Sequence, residues 1–257
     1  MDLHRHLDEI DEHGFSVVPG VIAEPEIAGL RSAVADALDQ DWERFGGLPG
    51  KDRSIALELA HYGGPLLALL DNEVIDALFG ALLGDRWILY SYTSTAMLPE
   101  LHQATAEIHT DTARITPGLV LGALATIALD PFTEENGATF YLPGSHRTHP
   151  HRPDENEFRE HAVRVCRDAG DAVVFHPRVW HAGGRNTTTD TRFAVTLYGT
   201  RSYMRQRFDY PRLMDADMVD AVPDRVRRIL GMNVRVPTSL EEFYVPADER
   251  LYKSGQG

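Results

Sequence analysis

The first third of the chain carries apolar residues at helical spacing. Pro25 stands at the first turn of a predicted helix, and the apolar positions that follow it are Ile27, Leu30, Val34 and Leu38. Shorter helices are predicted over residues 2–13, 65–70 and 72–83. Residues 45–64 lose this period and contain Gly46-Gly47-Leu48-Pro49-Gly50, which is typical of a loop. The pattern predicts a helical N-terminal part interrupted by one long loop, a candidate lid.

From residue 86 onward the pattern changes to short apolar runs separated by turn residues. With an earlier run at 15–18, strands are predicted at 87–93, 119–129, 138–142, 163–166, 172–176 and 191–200. Asn136-Gly137 predicts a reversal, residues 146–161 a polar surface excursion, and residues 211–230 a helical tail. We therefore expect one domain over residues 1–257, mainly β with flanking helices and a core at about 86–201.

Composition narrows the class of protein. The apolar fraction of 43% supports a sizeable core, and the net charge is 25 − 39 = −14 with the basic residues scattered, so no nucleic-acid partner is expected. Cys166 is the sole cysteine, which excludes an intrachain disulfide and any cysteine-rich metal site. The sequence shows no signal pattern and no bilayer-length apolar run. We expect a cytoplasmic monomer or homodimer with no membrane partner.

A histidine and an aspartate two positions apart give the first chemical signal. His109 and Asp111 point to the same side of an extended chain, since side chains in a strand alternate with a period of two. With His181 as third donor, two imidazoles and one carboxylate suit a divalent iron that keeps open positions for substrates. A His-x-Asp triplet alone is also typical of a solvated strand end. The other motifs must decide between the two interpretations.

Arg192 indicates what such a metal would bind. If residues 172–184 and 191–200 form an antiparallel pair, positions equidistant from the turn lie opposite one another, and His181 and Arg192 are such a pair. An arginine beside a metal ligand suits an anion between the two, because a guanidinium group binds a carboxylate in bidentate fashion. This arrangement predicts a small dicarboxylate that chelates the metal at one end and binds Arg192 at the other.

Five short motifs follow one another in the second half of the chain. They are His109-Thr110-Asp111, Asn136-Gly137-Ala138-Thr139, Pro143-Gly144-Ser145-His146, Gly170-Asp171, and Trp180-His181-Ala182-Gly183-Gly184-Arg185-Asn186 with Arg192. From about Phe15 to Arg201, their order and spacing resemble the phytanoyl-CoA dioxygenase family of iron(II)- and 2-oxoglutarate-dependent oxygenases. Many members of that family carry glutamine where Thr110 stands, and a side chain at this position is expected to face away from the ion.

The resemblance implies a fold and a set of ligands. The fold is a double-stranded β-helix, a jelly-roll or cupin-like core, in which His109, Asp111 and His181 bind Fe(II). Arg192 would bind the distal carboxylate of the cosubstrate 2-oxoglutarate, and Thr139 would add a hydroxyl to that cosubstrate. O2 would be the second cosubstrate, and the products would be succinate, CO2 and an oxidised small molecule.

The outcome of the reaction is expected to be hydroxylation or a related C–H oxidation. Related halogenases carry a small residue where Asp111 stands, so halogenation is not expected. The substrate is expected to be small and largely apolar, in line with specialised metabolism. Two other classes fit part of the pattern: a non-oxidative metal-dependent hydrolase or isomerase on the same barrel, and a non-catalytic binding protein of this fold.

The remaining polar residues receive simpler interpretations. Asn136 and Asp171 are expected to order turns, His176 to lie in the core and Trp180 to pack. Arg114 is expected either to meet an acidic substrate or to form a surface ion pair. The residues considered for the pocket only because of their position in the sequence are Tyr90, Tyr92, His102 and Gln103. His146, His149, His151 and His161 are interpreted as part of a solvated loop.

Overall fold

The computed structural model describes residues 1–99, 107–112, 114–116 and 118–251. The α-helices in these ranges are α1 (Leu3–His13), α2 (Glu24–Phe45), α3 (Gly64–Ala68), α4 (Glu73–Leu83), α5 (Ser145–Thr148), α6 (Glu155–His161), α7 (Tyr210–Leu213), α8 (Ala216–Asp220), α9 (Asp224–Ile229) and α10 (Leu240–Phe243). Short 3-10 helices span Leu59–Tyr62 and Leu69–Asp71. The strands are β1 (Phe15–Val18), β2 (Ile88–Met97), β3 (Gly122–Ala128), β4 (Phe140–Tyr141), β5 (Val163–Arg164), β6 (Ala172–Phe175), β7 (His181–Ala182) and β8 (Arg192–Thr200). His102 and Gln103 lie outside the described residues.

The N-terminal helices begin and end at residues suited to a helix terminus. Asp2 accepts a hydrogen bond from a backbone N–H of the first turn of α1, and Gly14 ends this helix with a φ of 88°. Pro25 lies in the first turn of α2, and Asn72 caps α4 by accepting two backbone N–H groups. The helices predicted in the first third of the chain are therefore confirmed.

Five strands form one antiparallel sheet in the order β1-β6-β3-β8-β2. Successive residues of its central strand, β3, contribute to different hydrophobic clusters, as alternation in a strand requires. Ala123, Ala125 and Ile127 join a large cluster with α2 and α4, whereas Leu124 joins a smaller cluster on the other face. No helix in the described part of the chain has both the length and the apolar composition needed to cross a membrane.

Three shorter strands form a second antiparallel sheet in the order β5-β4-β7. Tyr141 of β4 is opposite His181 of β7 and Val163 of β5. Tyr141 belongs to the same buried cluster as Leu124 and Phe175 of the larger sheet. The two sheets therefore share a core, and the second sheet carries His181 into it.

The outer edge of β2 is covered by an irregular segment, residues 54–58. The backbone N–H of Ser94 donates to the Ala56 carbonyl at 3.0 Å, and that of Ala96 donates to the Ser54 carbonyl at 2.8 Å. Ala56 is fully buried. This part of the predicted loop therefore occupies backbone groups that an edge strand otherwise leaves unpaired.

Glu58 ties this covering segment to the C-terminal helices. Its carboxylate accepts hydrogen bonds from the Tyr210 hydroxyl and, at 3.4 Å, from the Tyr92 backbone N–H. The side chain is buried, and burial raises the pKa of Glu58 to about 7. Its φ of 55° is left-handed, a conformation that a non-glycine residue holds only where its surroundings fix it.

The proportion of helix to strand differs from the prediction. More of the described residues lie in helices than in strands, so the expectation of a mainly β protein is not supported, although the strands are antiparallel as expected. Residues 146–161, predicted as an irregular excursion, contain most of α5 and all of α6. Asp154 caps α6 by accepting the backbone N–H groups of Asn156 and Glu157, a signal that the sequence already carried.

The predicted pairing of residues 172–184 with residues 191–200 is wrong. β6 pairs with β1 and β3, whereas β8 pairs with β2 and β3, so the two segments are not neighbours in the sheet. His181 is opposite Tyr141, and Arg192 is opposite Met97. The intervening chain crosses between the two sheets instead of turning back as a hairpin.

Candidate metal centre

His109 and His181 lie side by side at the end of the smaller sheet. Each donates its backbone N–H to the carbonyl of the other at 3.0 Å, and their ring centroids are 4.2 Å apart. His109 therefore continues the sheet beside β7 as a single bridge, outside any regular strand. Backbone hydrogen bonds between distant parts of the chain bring the two imidazoles together.

Asp111 completes a group of three potential ligands. Its Oδ2 atom is 3.7 Å from Nε2 of His181, and one donor atom from each of the three residues lies within 4.8 Å of the others. The backbone N–H of Asp111 donates to the Pro177 carbonyl at 2.9 Å, which fixes the aspartate next to the His181 strand. The three side chains predicted to share one ion do converge. Within the described ranges, no other group of three histidine, cysteine or acidic side chains does so.

Both histidines place Nδ1 against a backbone carbonyl and direct Nε2 away from the backbone. Nδ1 of His109 lies 2.8 Å from the Glu107 carbonyl, and Nδ1 of His181 lies 3.0 Å from the Val179 carbonyl. A carbonyl only accepts, so each Nδ1 carries the proton in this arrangement and each Nε2 has a free lone pair. Such a contact is typical of metal-binding histidines, because it fixes the tautomer and the orientation of the ring.

Two aromatic rings, which form an aromatic wall, pack against His181. Its ring stacks on Tyr141 at 5.6 Å with an interplanar angle of 18°, and Phe175 meets it edge-on at 5.3 Å. Burial lowers the pKa of His181, the charge of Asp111 raises it, and His109 lowers it. Burial also raises the pKa of Tyr141 to about 12. His181 is therefore neutral near pH 7, as a metal-binding imidazole should be. The Tyr141 hydroxyl is also neutral and keeps its proton.

Arg192, predicted to bind the cosubstrate, is buried, with 3% of its surface exposed. Its Nη1 donates to the carbonyls of Asn136 and Gly137, at 3.1 Å and 2.5 Å, and its Cζ lies 3.6 Å from the centroid of the Phe132 ring. Burial first, then the charge of Arg167, lowers the pKa of Arg192 to about 9. The side chain is thus a protonated, fixed cation near pH 7, although the predicted pairing with His181 does not position it.

Asn136 and Gly137 form the turn that holds Arg192. Asn136 accepts the Thr133 backbone N–H at 2.9 Å and donates to the Pro131 carbonyl at 2.7 Å, so it orders the turn as predicted. Thr139 follows in the same segment, two positions before Tyr141, and is half-buried. In extended chain it faces the same side as Tyr141. Its contact with a cosubstrate remains a prediction.

A cavity of about 360 Å³ opens on Asp111. Its lining includes Tyr90, Arg114, Leu121, Tyr198 and Met204. Of the residues considered for the pocket, Tyr90 does line it, whereas Tyr92 is fully buried in the core. His176, interpreted as a core residue, also lines this cavity, and burial lowers its pKa to about 4.

Three residues near the centre had no role in the sequence interpretation. Tyr141 forms part of the wall behind His181, Phe132 lies under Arg192, and Arg167 stacks on the same Phe132 ring at 3.5 Å. A period-two pattern could have placed Tyr141 on the inner face of its strand. No local signal distinguishes Arg167 from a surface arginine, because its position depends on the pairing of two irregular segments.

The family of the protein follows from comparison with known sequences. Residues 10–194 match the family model described as phytanoyl-CoA dioxygenase (PhyH). The chain belongs to the phytanoyl-CoA dioxygenase family. It is 31% identical to the uncharacterized protein Rv1501 of Mycobacterium tuberculosis, over 97% of this chain and 94% of that one. It is 25% identical to the dioxygenase af480 of Aspergillus fumigatus, over 90% of this chain and 77% of that one.

A solved structure supports the same assignment at the level of fold. The non-heme alpha ketoglutarate dependent carbocyclase SnoK from nogalamycin biosynthesis superposes with a TM-score of 0.59 and 22% identity. The match covers 76% of this chain and 83% of SnoK. Together with the dioxygenase relatives, membership of this family identifies the protein as a dioxygenase-type enzyme.

Proposed function

We propose that this protein is an Fe(II)- and 2-oxoglutarate-dependent dioxygenase that oxidises a C–H bond of a small organic molecule. The observation that carries the proposal is the convergence of His109, Asp111 and His181 within 4.8 Å. Membership of the family and the alpha ketoglutarate dependence in the name of SnoK support it. We further propose one domain over residues 1–257, in which the two sheets belong to a jelly-roll core at about 86–201.

The donor set fits the proposed metal. His109, Asp111 and His181 would hold Fe(II) through two Nε2 atoms and one carboxylate, a combination suited to non-heme iron because it leaves positions for other ligands. Arg192 would bind the distal carboxylate of 2-oxoglutarate, and Thr139 would donate a hydroxyl to it. Arg192 supports this role because it is a buried cation without a carboxylate partner within ion-pair distance among the described residues.

When bound, iron and 2-oxoglutarate supply the oxidising chemistry: O2 is consumed, 2-oxoglutarate becomes succinate and CO2, and the substrate is oxidised. The chain contributes orientation and the exclusion of water. The two backbone hydrogen bonds between His109 and His181 fix the ligand geometry, and the aromatic wall shields one side of the centre. In the proposed site, Asp111 would take the place that a halide occupies in related halogenases, so hydroxylation or a related oxidation is the proposed outcome.

The cavity beside Asp111 supports a small substrate. Its volume of about 360 Å³ lies in the lower range of ligand pockets. Tyr90, Tyr198, Leu121 and Met204 offer apolar surface, and Arg114 offers one cation. We propose a compact, largely apolar substrate, with any acidic group directed towards Arg114.

Anaerobic spectroscopy tests the cofactor chemistry before the substrate is known. Fe(II) and 2-oxoglutarate are added to the protein without O2, and a weak visible charge-transfer band is expected. The His181→Ala and Arg192→Ala variants should lack this band, whereas the exposed control His161→Ala should retain it. Absence of the band in the wild-type protein would overturn the proposal.

Measurements of O2 consumption, succinate formation and ligand binding distinguish a dioxygenase from a hydrolase or isomerase and from a binding protein. A dioxygenase consumes O2 and forms succinate in step, even when the turnover is slow and no primary substrate is present. A hydrolase or isomerase on this scaffold would bind the metal but form no succinate. A binding protein would bind neither metal nor 2-oxoglutarate in a calorimetric titration.

A further inference from the structure

Arg167 is a buried arginine without a hydrogen-bond partner for its side chain in the described part of the chain. It exposes 6% of its surface, and its Nε, Nη1 and Nη2 atoms are all buried and unpartnered. Its backbone is fixed, since it exchanges hydrogen bonds of 2.8 Å and 3.1 Å with Phe132. Burying a guanidinium group without partners is unfavourable, so a function for this side chain is expected.

Arg167 and Arg192 enclose the same aromatic ring. Their Cζ atoms lie 3.5 Å and 3.6 Å from the centroid of the Phe132 ring. Two guanidinium groups at this distance cannot share one face of the ring without overlapping, so Phe132 is sandwiched between them. Each cation is attracted to the ring, but the two like charges repel each other across it.

No carboxylate offsets this pair of charges at short range. Among the described residues, neither arginine has an ion-pair partner within 4.0 Å, and the carboxylates that act on them from a distance are Asp171 for Arg167 and Asp130 for Arg192. The Nε atom of Arg192 is also buried and unpartnered. An anion that enters beside Arg192 would therefore interact favourably with two cations.

We propose that Arg167 is a second cation of the cosubstrate site, which strengthens the binding of the distal carboxylate at Arg192 and holds Arg192 in position through Phe132. This inference rests on the proposed function, because it takes 2-oxoglutarate as the anion. Arg167 is a positioning residue: its own nitrogens are enclosed by protein, and it acts through the ring and through its charge.

The turn on the other side of Arg192 completes the arrangement. Nη1 of Arg192 is bound to the carbonyls of Asn136 and Gly137, so the guanidinium group is held by the turn and by the Phe132 ring. Arg167 keeps the ring in place from its opposite face. Loss of Arg167 would free the ring and remove one charge, and both changes weaken the binding of a carboxylate.

Calorimetric titration of 2-oxoglutarate into the anaerobic Mn(II)-loaded protein tests this inference. Arg167→Met, which keeps the length but not the charge, is expected to raise the Kd about tenfold. Arg167→Lys, which keeps the charge, should raise it about threefold or less. Arg164→Met is the matched control, since Arg164 stacks on Phe140 at 4.6 Å but is one-third exposed and paired with Glu134. Its Kd should equal that of the wild type.

Urea unfolding of the metal-free variants gives a second, independent readout. Arg167→Met should unfold at a higher urea concentration than the wild type, because it removes an uncompensated buried charge. A purely structural arginine would give the opposite shift. The inference is overturned if Arg167→Met binds 2-oxoglutarate as tightly as the wild type, or if Arg167→Lys binds it as weakly as Arg167→Met.

The titration also separates this inference from the proposed function. If the wild-type protein does not bind 2-oxoglutarate, the proposed function fails, and the inference fails with it. If the wild type and Arg167→Met bind it equally while Arg192→Ala does not, only the role of Arg167 is lost.

Discussion

Gly137 and Gly184 approach so closely that a Cβ atom on Gly137 would lie 2.6 Å from the Gly184 carbonyl oxygen. Gly137 also has a left-handed φ of 84°, which side chains disfavour. Its carbonyl accepts a hydrogen bond from Arg192. We expect Gly137→Ala to lower the free energy of unfolding by at least about 3 kcal/mol and to weaken 2-oxoglutarate binding. Urea unfolding and calorimetry measure the two effects.

Gly20 provides the control for this substitution. It too has a positive φ, 62°, but no atom lies within 4 Å of the position that an alanine methyl group would take, so Gly20→Ala measures the backbone contribution alone. We expect a loss of about 1 kcal/mol and unchanged binding. Equal losses at the two positions would show that the contact between Gly137 and Gly184 is unimportant.

Asp111 is expected to be essential for metal binding. Asp111→Ala leaves two imidazoles, and we expect the affinity for Co(II), used as a spectroscopic substitute for Fe(II), to fall by more than about 100-fold. The measurement is the visible absorption of Co(II) during a titration. His161→Ala should keep wild-type affinity, because His161 is an exposed residue of α6 and is not one of the three converging ligands. Wild-type affinity in Asp111→Ala would contradict the proposed ligand set.

Asn186 joins its own turn, residues 186–190, to the end of β2. Its buried Nδ2 donates to the carbonyls of Met97 and Asp190, both at 2.8 Å, and its Oδ1 accepts the Thr188 backbone N–H. Asn186→Ala would remove this donor from the carbonyl of the buried residue Met97, so we expect a loss of about 1–3 kcal/mol in the free energy of unfolding. The exposed Asn156→Ala should lose less than about 0.5 kcal/mol in the same urea experiment.

Glu58 is expected to make the stability dependent on pH. The folded state raises its pKa from 4.5 to about 7, so it holds this proton more tightly than the unfolded state does. The contribution to stability is present in full below about pH 4.5, is lost as the pH rises towards 7, and levels off above that. The loss corresponds to about 3 kcal/mol at most.

Glu58→Gln isolates this effect, because the amide keeps the shape of the side chain but does not ionise. We expect its unfolding free energy, measured in urea from pH 4 to pH 8, to vary less with pH and to exceed the wild-type value at pH 8. Glu43→Gln, at an exposed position of α2, should follow the wild-type profile. A wild-type profile in Glu58→Gln would assign the pH dependence to other groups.

The sequence was informative where a feature depends on neighbouring residues. The helices at 2–13 and 72–83, the Pro25 helix and the Asn136-Gly137 turn are local, and the structure contains all of them. The convergence of His109, Asp111 and His181 was also predicted, since the motifs and their spacing identify a family that uses these residue types together.

Features that depend on long-range pairing were not predicted. The prediction of a hairpin between residues 172–184 and 191–200 was wrong. Alternation specifies which face of a sheet a residue lies on but not which strand lies beside it. Arg192 is nevertheless buried, in contact with Phe132 and the Gly137 carbonyl, and its contact with the cosubstrate stays a prediction. Arg167 was missed for the same reason, as its burial depends on a bridge to Phe132 that no local pattern indicates.

The segment over the β2 edge limits how the chain can be shortened. Residues 54–58 sit in the irregular region that the sequence pattern alone would suggest for deletion, yet two of their carbonyls accept hydrogen bonds from β2. A version of the protein without them would present an unprotected strand that a second molecule could add to. Self-association, and not a change in turnover, is the first property to examine in any such deletion.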